Sequence, residues 1–387
     1  MLALIADKLL TPVEVLDRPL LLVTDGKIVE IASAAARTVP SGARTFSFAG
    51  GVIAPGYIDL HIHGSGGFDA MDGTREALDA IERLLAHHGV TSYYPTTVTA
   101  PLDATLRALE RLADAIESSE RRNPGAKGQA RPLGIHLEGP FISHARRGVH
   151  PPENLLPPKI ETFERFWQAA RGHIRMLTIA PELERAAELI QEASRLGVCV
   201  SLGHSDADFA AAERAVASGA RHATHTFNAM RPLDHRSPGI LGAVLTDSRL
   251  TADIIADGVH LDPAIVKLFA HAKGPNNTVL ITDATAATGM PDGRYRLGSL
   301  EVEVKDGRSM ANGKLAGSVL TMDRAVRNLA QFAEWTLPDA VAAATRNPAR
   351  VAGLTGKGVL APGADADFIV LNAAGEVQQT FVGGIEC

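Results

Sequence analysis

Pro55-Gly-Tyr-Ile-Asp-Leu-His-Ile-His63 is the most informative run in the chain. It is short and mostly apolar, and it ends in two histidines that are two residues apart. Side chains two residues apart on a β-strand project from the same face, so His61 and His63 can bind the same ion. The run therefore predicts a strand whose end carries metal-ligating side chains.

Similar short apolar runs recur between about Gly56 and Thr345, separated by longer stretches with a helical period. This alternation is typical of βα units around a parallel sheet. The eight predicted strands are 57–63, 92–98, 133–138, 174–179, 199–204, 222–225, 252–256 and 278–282. The predicted outer helices include 75–88, 105–117, 185–196 and 207–217, which are rich in Ala, Leu and Glu.

Eight such units predict an α/β protein built on a (β/α)8 TIM-like barrel. Roughly 290 residues suit a barrel of this kind with insertions, because its typical size is ~250 residues. An open doubly wound sheet is the competing architecture. It is disfavoured because no Gly-x-Gly-x-x-Gly turn follows an early strand.

Both ends of the chain have the pattern of β structure outside the barrel. Apolar runs at 20–23 and 28–31 flank Asp25-Gly26, a dipeptide that supplies the positive φ of a tight hairpin. Residues 368–371 and 377–382 repeat the pattern near the C-terminus. We therefore expect a small β-sandwich domain made of residues 1–54 and 355–387, with the barrel domain at 55–354.

The composition is that of an ordinary globular protein, with 45% hydrophobic residues, 21% charged residues and a formal net charge of −6 in 387 residues. No long basic run could track a nucleic acid, so we expect no nucleic-acid partner. No apolar stretch approaches the ~20 residues that span a bilayer, and no signal-peptide pattern is present. Only Cys199 and Cys387 occur, which excludes a disulfide framework. We expect a cytoplasmic protein without a membrane partner.

Four more polar side chains fall where predicted strands end, and barrel enzymes assemble their active sites at that edge. They are Glu138, His204, His225 and Asp283. A single histidine there is usually structural, and an aspartate before a helix is usually an N-cap. Several imidazoles and carboxylates around one mouth instead indicate a divalent-metal site. We expect Zn²⁺ first, with Fe²⁺, Mn²⁺ or Co²⁺ as alternatives.

The first-strand run resembles the signature of the amidohydrolase superfamily, and Gly363-Ala-Asp-Ala-Asp-Phe-Ile-Val resembles its C-terminal β segment. Further motifs, in order along nearly the whole chain, resemble the N-acetylglucosamine-6-phosphate deacetylase family. They are His136-Leu-Glu-Gly-Pro-Phe, Gly203-His-Ser, His225-Thr-Phe-Asn-Ala-Met, Ala256-Asp-Gly-Val-His and Thr282-Asp-Ala-Thr. The resemblance implies hydrolysis of N-acetylglucosamine 6-phosphate to glucosamine 6-phosphate and acetate, in amino-sugar catabolism and recycling.

The resemblance also implies that Glu138, His204 and His225 hold the principal metal. Family members that keep the His-x-His pair resemble two-metal enzymes in which the glutamate bridges the ions. Because this chain keeps His61 and His63, we expect one or two bound ions.

In the expected reaction a metal-bound hydroxide attacks the acetyl carbonyl, because water on a metal loses its proton near pH ~7. Asp283 acts as general base and acid: it takes the proton of the water and returns it to the leaving nitrogen. By resemblance, His150 in Gly148-Val-His-Pro orients or polarises the carbonyl and contacts the sugar.

The resemblance assigns the substrate phosphate to Arg236 and His260, whose hydrogen-bond donors suit it. Without the motif, Arg236 would be assigned as a surface arginine in a loop. Further residues are expected to line the sugar pocket, namely Asn228, Ala229, Leu315, Ala316 and Gly317. The family is homodimeric, with the phosphate end of the site near the partner subunit, so we expect a homodimer.

Other hydrolase chemistries match less well. Cyclic-amide hydrolases of the superfamily use a carboxylated lysine on the fourth strand, and this chain has no lysine between Lys159 and Lys267. Adenosine-type deaminases need an extra glutamate near the fifth strand, whereas Ser-Asp-Ala-Asp follows His204. Two alternatives stay open: N-acetylgalactosamine 6-phosphate as the substrate, and a non-catalytic scaffold with the amidohydrolase fold.

Overall fold

The computed structural model describes residues 1–120 and 128–387. The barrel strands are Tyr57–Ile62, Val90–Thr97, Ile135–Glu138, Ile174–Ile179, Cys199–Leu202, His222–Ala223, Ala252–Ile254 and Thr278–Leu280. Strands one to five each pair in parallel with the strand that follows along the chain, and strands seven and eight pair likewise. Nearly every residue of these strands is buried, as expected where helices cover one face of a parallel sheet and the barrel interior covers the other.

Backbone hydrogen bonds close the ring at the two remaining seams. Between strands six and seven, the amide of Thr226 donates to the carbonyl of Asp253 at 2.9 Å. Between strands eight and one, the amide of Asp283 donates to the carbonyl of His61 at 2.9 Å. The predicted eight-stranded barrel is therefore confirmed.

Helices surround the barrel, and the described residues contain Arg75–His87, Leu102–Glu120, Ile160–Ala169, Ala186–Arg195, Phe209–Ser218, Gly239–Thr246, Pro263–Asn277, Met322–Ala333, Leu337–Ala343 and Arg346–Val351. Short 3-10 turns lie at Ala70–Asp72 and Pro152–Asn154. All four predicted helices are present. The first begins after Thr74, whose hydroxyl accepts a hydrogen bond from the amide of Ala77. No helix in this part of the chain is both long and apolar enough for a membrane crossing.

The chain ends form one sheet of eight strands, namely Leu2–Leu10, Val15–Asp17, Pro19–Thr24, Lys27–Ser33, Arg44–Pro55, Phe368–Leu371, Val377–Val382 and Ile385–Glu386. The strand Arg44–Pro55 joins the two ends, because it pairs with Leu2–Leu10 on one side and with Phe368–Leu371 on the other. Asp25 and Gly26 form the predicted hairpin turn, with φ of 50° and 72°. The β domain expected from both chain ends is present.

A four-stranded antiparallel meander follows the eighth barrel strand, and the sequence analysis did not predict it. Its strands are Gly293–Leu297, Leu300–Lys305, Arg308–Ala311 and Lys314–Leu315. Val302 and Val304 are buried while their charged neighbours are exposed, as in a sheet with one solvent face. Further short strands are Gly64–Ser65, Phe68–Asp69 and Arg131–Pro132. The meander matters because it carries Leu297 and Leu315 to the mouth of the barrel.

Candidate metal centre

Five side chains from four barrel strands meet at the carboxyl end of the barrel. They are His61, His63, Glu138, His204 and His225. All are buried. Parallel strands of a barrel end at one rim, which is why residues far apart in the sequence converge there. The structure thus brings the whole predicted ligand set into one cluster.

Glu138 stands at the centre of the cluster. Its Oε1 lies 3.1 Å from Nε2 of His204 and 3.0 Å from Nε2 of His225. Its Oε1 also lies 3.5 Å from Nε2 of His61, and its Oε2 lies 3.3 Å from Nε2 of His63. Two overlapping sets of ligand atoms result. We call them the His61 group (His61, His63 and Glu138) and the His204 group (Glu138, His204 and His225).

Hydrogen bonds at Nδ1 fix the tautomer of two of these imidazoles, His204 and His63. Nδ1 of His204 donates to the carbonyl of Arg146 at 3.0 Å, and Nδ1 of His63 donates to the carbonyl of Thr96 at 3.2 Å. Because a carbonyl oxygen only accepts, these Nδ1 atoms carry protons, and in the neutral rings the Nε2 lone pairs face Glu138. Two electron-rich atoms that face each other require a cation or a proton between them.

The separations between donor atoms fit a divalent metal. Two ligands that each lie about 2.0–2.1 Å from a tetrahedral ion are about 3.3 Å apart. Nε2 of His204 lies 3.1 Å from Nε2 of His225, and Nε2 of His61 lies 3.2 Å from Nε2 of His63. Imidazole and carboxylate are also the donor types that zinc and related transition metals take. The cluster therefore has the geometry and the chemistry that a divalent-metal site requires.

The charges in the cluster favour a cation as well. Burial opposes ionisation of Glu138, but the surrounding histidines, His61 first, hold its pKa well below the usual range. Burial likewise opposes a charge on His63, yet the carboxylates of Asp283 and Glu138 raise its pKa well above the usual range. Burial lowers the pKa of His204 to about 4, so that ring is neutral at pH 7. Two ionised carboxylates thus attract positive charge to this place.

Two buried aspartates hold the backbone of the remaining two histidines. Oδ1 of Asp253, on the seventh strand, accepts a short hydrogen bond from the amide of His225. Oδ1 of Asp59 accepts from the amide of His61 at 3.2 Å, and its Oδ2 accepts from the hydroxyl of Thr282 at 2.5 Å. Burial raises the pKa of Asp59 to about 6. Each group therefore has one histidine held through its ring and one held through its backbone.

His136 and His222 lie on the barrel strands but outside both groups. Nε2 of His222 donates to Oδ2 of Asp253 at 2.9 Å. Nδ1 of His136 donates to the carbonyl of Leu60 at 3.0 Å, and burial keeps the pKa of His136 well below its usual value. Both rings thus have structural partners below the metal centre.

Three site residues have a left-handed backbone: φ is 48° at His204, 31° at His225 and 50° at Asp283. For residues other than glycine such conformations cost of order 1–3 kcal/mol each and occur mainly at functional sites. Neighbouring hydrogen bonds hold them in place. For example, the amide of Ser318 donates to the carbonyl of Asp283 at 2.7 Å.

Asp283 lies beside the His61 group. Its Oδ1 is 3.2 Å from Nε2 of His63 and 3.5 Å from Nε2 of His61. Burial alone would raise its pKa, but the nearby histidines, His61 first, lower it to about 2. Asp283 is therefore ionised at neutral pH and can accept a proton. A Cβ at Gly317 would lie 2.9 Å from the carbonyl oxygen of Asp283, so this close approach requires glycine.

A cavity of about 200 Å³ opens above the cluster. The cavity is lined by His63, Glu138, His204, His225 and Asp283, and further by Val98, Gly148, Val149, His150, Asn228, Ala229, His260, Leu297, Leu315 and Gly317. Six of the eight predicted substrate residues therefore lie at this cavity. A cleft of about 260 Å³ between the chain-end sheet and the barrel contains no histidine, so the chemistry belongs to the smaller cavity.

The structure places two predicted substrate residues away from the cavity. Arg236 is exposed, in a loop where its amide donates to Oδ1 of Asp234 at 2.9 Å. Ala316 is buried in a small core under the meander. Its neighbours Leu315 and Gly317 do reach the cavity, because successive residues of an extended segment face opposite sides.

Part of the cavity lining was not predicted from the sequence. Val98 follows the second barrel strand, and the same strand-end argument that found Glu138 could have found it. Val149 lies within the motif quoted for His150. Leu297 had no local signal, because only the folding of the meander brings it over the barrel.

Comparisons with known proteins agree with this fold. A model of the amidohydrolase family matches residues 52–386. N-acetylglucosamine-6-phosphate deacetylase of Lysinibacillus sphaericus is 38% identical over 362 residues, which cover 93% of this chain and 91% of that protein. N-acetylgalactosamine-6-phosphate deacetylase of Escherichia coli O157:H7 is 39% identical over 335 residues, which cover 86% of this chain and 87% of that protein.

A solved structure is similar over the whole chain. N-acetyl-D-glucosamine-6-phosphate deacetylase from Mycobacterium smegmatis, as an aspartate-to-alanine mutant in complex with N-acetyl-D-glucosamine-6-phosphate, has 35% sequence identity and a TM-score of 0.91. The match covers 100% of this chain and 98% of that one. The likeness thus includes both the barrel and the chain-end sheet.

Proposed function

Because this chain belongs to the amidohydrolase family, and within it to the N-acetylglucosamine-6-phosphate deacetylases, we propose that it hydrolyses N-acetylglucosamine 6-phosphate to glucosamine 6-phosphate and acetate. The observation that carries the proposal is the position of Asp283. Its ionised carboxylate lies 3.2 Å from a predicted metal ligand, His63, at the floor of the cavity. A proton carrier beside a divalent-metal site is what amide hydrolysis requires.

The metal would be held by the His204 group and, for a second ion, by the His61 group. When bound, a divalent ion supplies Lewis acidity toward the acetyl oxygen and a water that is activated at neutral pH. We infer Zn²⁺ first, with Fe²⁺, Mn²⁺ or Co²⁺ as alternatives, because all accept imidazole and carboxylate ligands. The central position of Glu138 between both groups supports two ions rather than one.

Asp283 moves the proton in this scheme. Its Oδ1 accepts the proton that water loses on attack and then donates it to the sugar nitrogen, because an amine leaves poorly unless it is protonated. Its pKa of about 2 keeps it ready to accept in the resting state. His150, whose Nε2 lies 3.5 Å from Oε2 of Glu138, faces the place where the acetyl carbonyl would lie.

Polar groups at the cavity suit the sugar phosphate. Nδ2 of Asn228 is buried and has no hydrogen-bond partner among the described residues, so it is available to a sugar hydroxyl. Nδ1 of His260 donates to Oδ2 of Asp257 at 2.7 Å, which leaves the other side of the ring for the phosphate. Ala229, Leu315 and Gly317 complete the proposed sugar contacts.

Arg236 supports the proposal of a homodimer. Arg236 does not line the cavity of its own chain. A contact with the phosphate therefore requires its loop to move, or requires Arg236 to reach the cavity of a second subunit.

We expect Arg236→Ala to weaken use of the phosphosugar much more than use of unphosphorylated N-acetylglucosamine, because a planar cation binds phosphate. Equal losses for both sugars would contradict the phosphate role. Light scattering of the purified protein measures the oligomeric state directly.

We further propose that residues 55–354 form the catalytic domain and that residues 1–54 and 355–387 form a separate β domain. The chain-end sheet has an apolar core of its own on one face, and on the other face Leu10, Ala54, Ile369 and Leu371 pack into the core of the barrel. The cytoplasm is the proposed compartment. Cys199 and Cys387 are both free in the structure, which suits a reducing environment.

The galacto substrate is the less supported alternative, since a solved structure that matches the whole chain at 35% identity is of an enzyme named for the gluco substrate. The decisive experiment measures acetate release from N-acetylglucosamine 6-phosphate, N-acetylgalactosamine 6-phosphate and unphosphorylated N-acetylglucosamine at equal enzyme concentration, with and without a chelator. We expect the highest kcat/KM for the first sugar and loss of activity with the chelator. Absent activity on all three would contradict the proposal and favour a scaffold, and activity that survives the chelator would contradict a metal-dependent reaction.

A further inference from the structure

His150 is held at its outer ring nitrogen by Thr99. Nδ1 of His150 lies 3.3 Å from the backbone nitrogen of Thr99 and 2.7 Å from its hydroxyl oxygen. Thr99 follows the second barrel strand, Val90–Thr97, and is buried. The imidazole therefore contacts Thr99 on one side and the cavity on the other.

The backbone contact determines where the proton of His150 lies. A backbone N–H only donates, so Nδ1 of His150 is an acceptor without a proton. The hydroxyl of Thr99 can donate to the same nitrogen. In the neutral ring the proton is then on Nε2, the atom that lies 3.5 Å from Oε2 of Glu138.

A neighbouring histidine has the opposite arrangement. The ring centroids of His150 and His204 are 4.7 Å apart. Nδ1 of His204 donates to the carbonyl of Arg146, so its Nε2 presents a lone pair, as a metal ligand must. Adjacent rings in one cavity thus carry their protons on different nitrogens, one as a ligand and one as a donor.

We propose that Thr99 is a positioning residue that holds His150 in the tautomer with the proton on Nε2, so that His150 acts as a hydrogen-bond donor to the acetyl oxygen. The proposal rests on the proposed deacetylase function. A fixed donor stabilises the negative charge that develops on this oxygen when water attacks. The other tautomer would present a lone pair to the same oxygen and repel it.

The backbone next to Thr99 leaves room for the Thr99 hydroxyl. A Cβ at position 139 would overlap the hydroxyl oxygen of Thr99, and Gly139 has a φ of 72°. Glycine at this position therefore leaves the space that the hydroxyl occupies. Gly139 directly follows Glu138, so the segment that carries the central metal ligand also makes room for the Thr99 contact.

The first test compares three variants of the metal-loaded enzyme. Thr99→Val removes the hydroxyl, which is the closer of the two donors to Nδ1 of His150, and keeps the backbone N–H. Because this weakens the preference for one tautomer without abolishing it, we expect kcat to fall by about 5- to 20-fold with KM changed by less than about threefold. Thr99→Ser retains the hydroxyl and should restore kcat to within about twofold of wild type. Thr97→Val is the matched control, because the Thr97 hydroxyl is buried on the same segment and has no partner among the described residues.

A double-mutant cycle separates positioning from general packing. His150→Gln retains a side-chain donor but has no tautomers, so Thr99→Val should cost less than about twofold in kcat in that background. A loss of kcat as large as in the wild-type background would overturn the proposal. So would equal kcat values for Thr99→Val and Thr97→Val, or a Thr99→Ser variant as slow as Thr99→Val.

The tautomer itself can be observed without any substrate. Nitrogen-15 NMR of histidine-labelled, metal-loaded wild-type protein should show His150 protonated at Nε2 and bare at Nδ1, with the resonance assigned by its loss in His150→Gln. A proton on Nδ1 would overturn the proposal, even if Thr99→Val did not fold. Because this measurement does not depend on turnover, it also separates failure of the inference from failure of the proposed function.

Discussion

The His61 group and the His204 group share Glu138 and are built alike, but their surroundings differ. In each, one ring is held through Nδ1 by a backbone carbonyl and the other histidine is held through its amide by a buried aspartate. In the His204 group, the Nε2 atoms lie 3.1 and 3.0 Å from Glu138. In the His61 group, these separations are 3.5 and 3.3 Å, and Asp283 lies alongside.

This difference supports separate roles for the two groups. The His204 group has the closer ligand atoms, and its second carboxylate, Asp253, contacts the amide of His225 rather than a ring nitrogen, which suits a site that mainly holds a metal. The His61 group faces two carboxylates, Glu138 and Asp283, so metal binding there is coupled to the group that moves the proton. Four substitutions test this view.

Asp283→Asn should have the largest effect. The amide cannot carry the proton, so we expect kcat to fall by ~10²–10⁴ while the metal of the His204 group stays bound. Kinetics and elemental analysis of the same preparation measure both. Asp306→Asn is a matched control, because Asp306 has nearly the same φ of 51° but is exposed on the meander. Wild-type turnover in Asp283→Asn would remove Asp283 from the mechanism.

Asp253→Asn should have an intermediate effect, on metal affinity rather than on the proton step. The neutral amide weakens the hydrogen bond to the His225 amide, and partners behind metal ligands typically contribute 10- to 100-fold in affinity. We expect affinity to fall by about 10-fold, measured by competition with a chromophoric chelator. Asp59→Asn is the counterpart behind His61 and should weaken only the second, looser ion. If Asp253→Asn weakened only the looser ion and Asp59→Asn weakened the tighter one, the assignment of the two groups would be wrong.

His61→Asn should have the smallest effect on activity. Removal of this ring takes one ligand from the His61 group and none from the His204 group. We expect metal content to fall from about two ions per chain to about one, with chelator-sensitive deacetylation retained. Elemental analysis decides the point. Loss of all bound metal would show that the two groups do not bind independently.

Much of the fold and the ligand set could be predicted because their signals are local. Strand and helix periods repeat over a few residues, and the rule that sites lie at the carboxyl ends of barrel strands then selects His61, Glu138 and His204. Arg236 and Ala316 show the limit. A motif match assigns a residue to the substrate, but whether its side chain reaches the cavity depends on how a loop or meander folds back.

The sequence by itself determined the eight strands, the polar residues at their ends and the Asp25-Gly26 hairpin, because these depend on residue type and short spacing. Only the tertiary structure decided which nitrogen of His150 and His204 carries the proton. Those protons follow from contacts with Thr99 and Arg146, which are 51 and 58 residues away. A hydrogen-bond partner that distant is chosen by the path of the whole chain, and no local pattern encodes it.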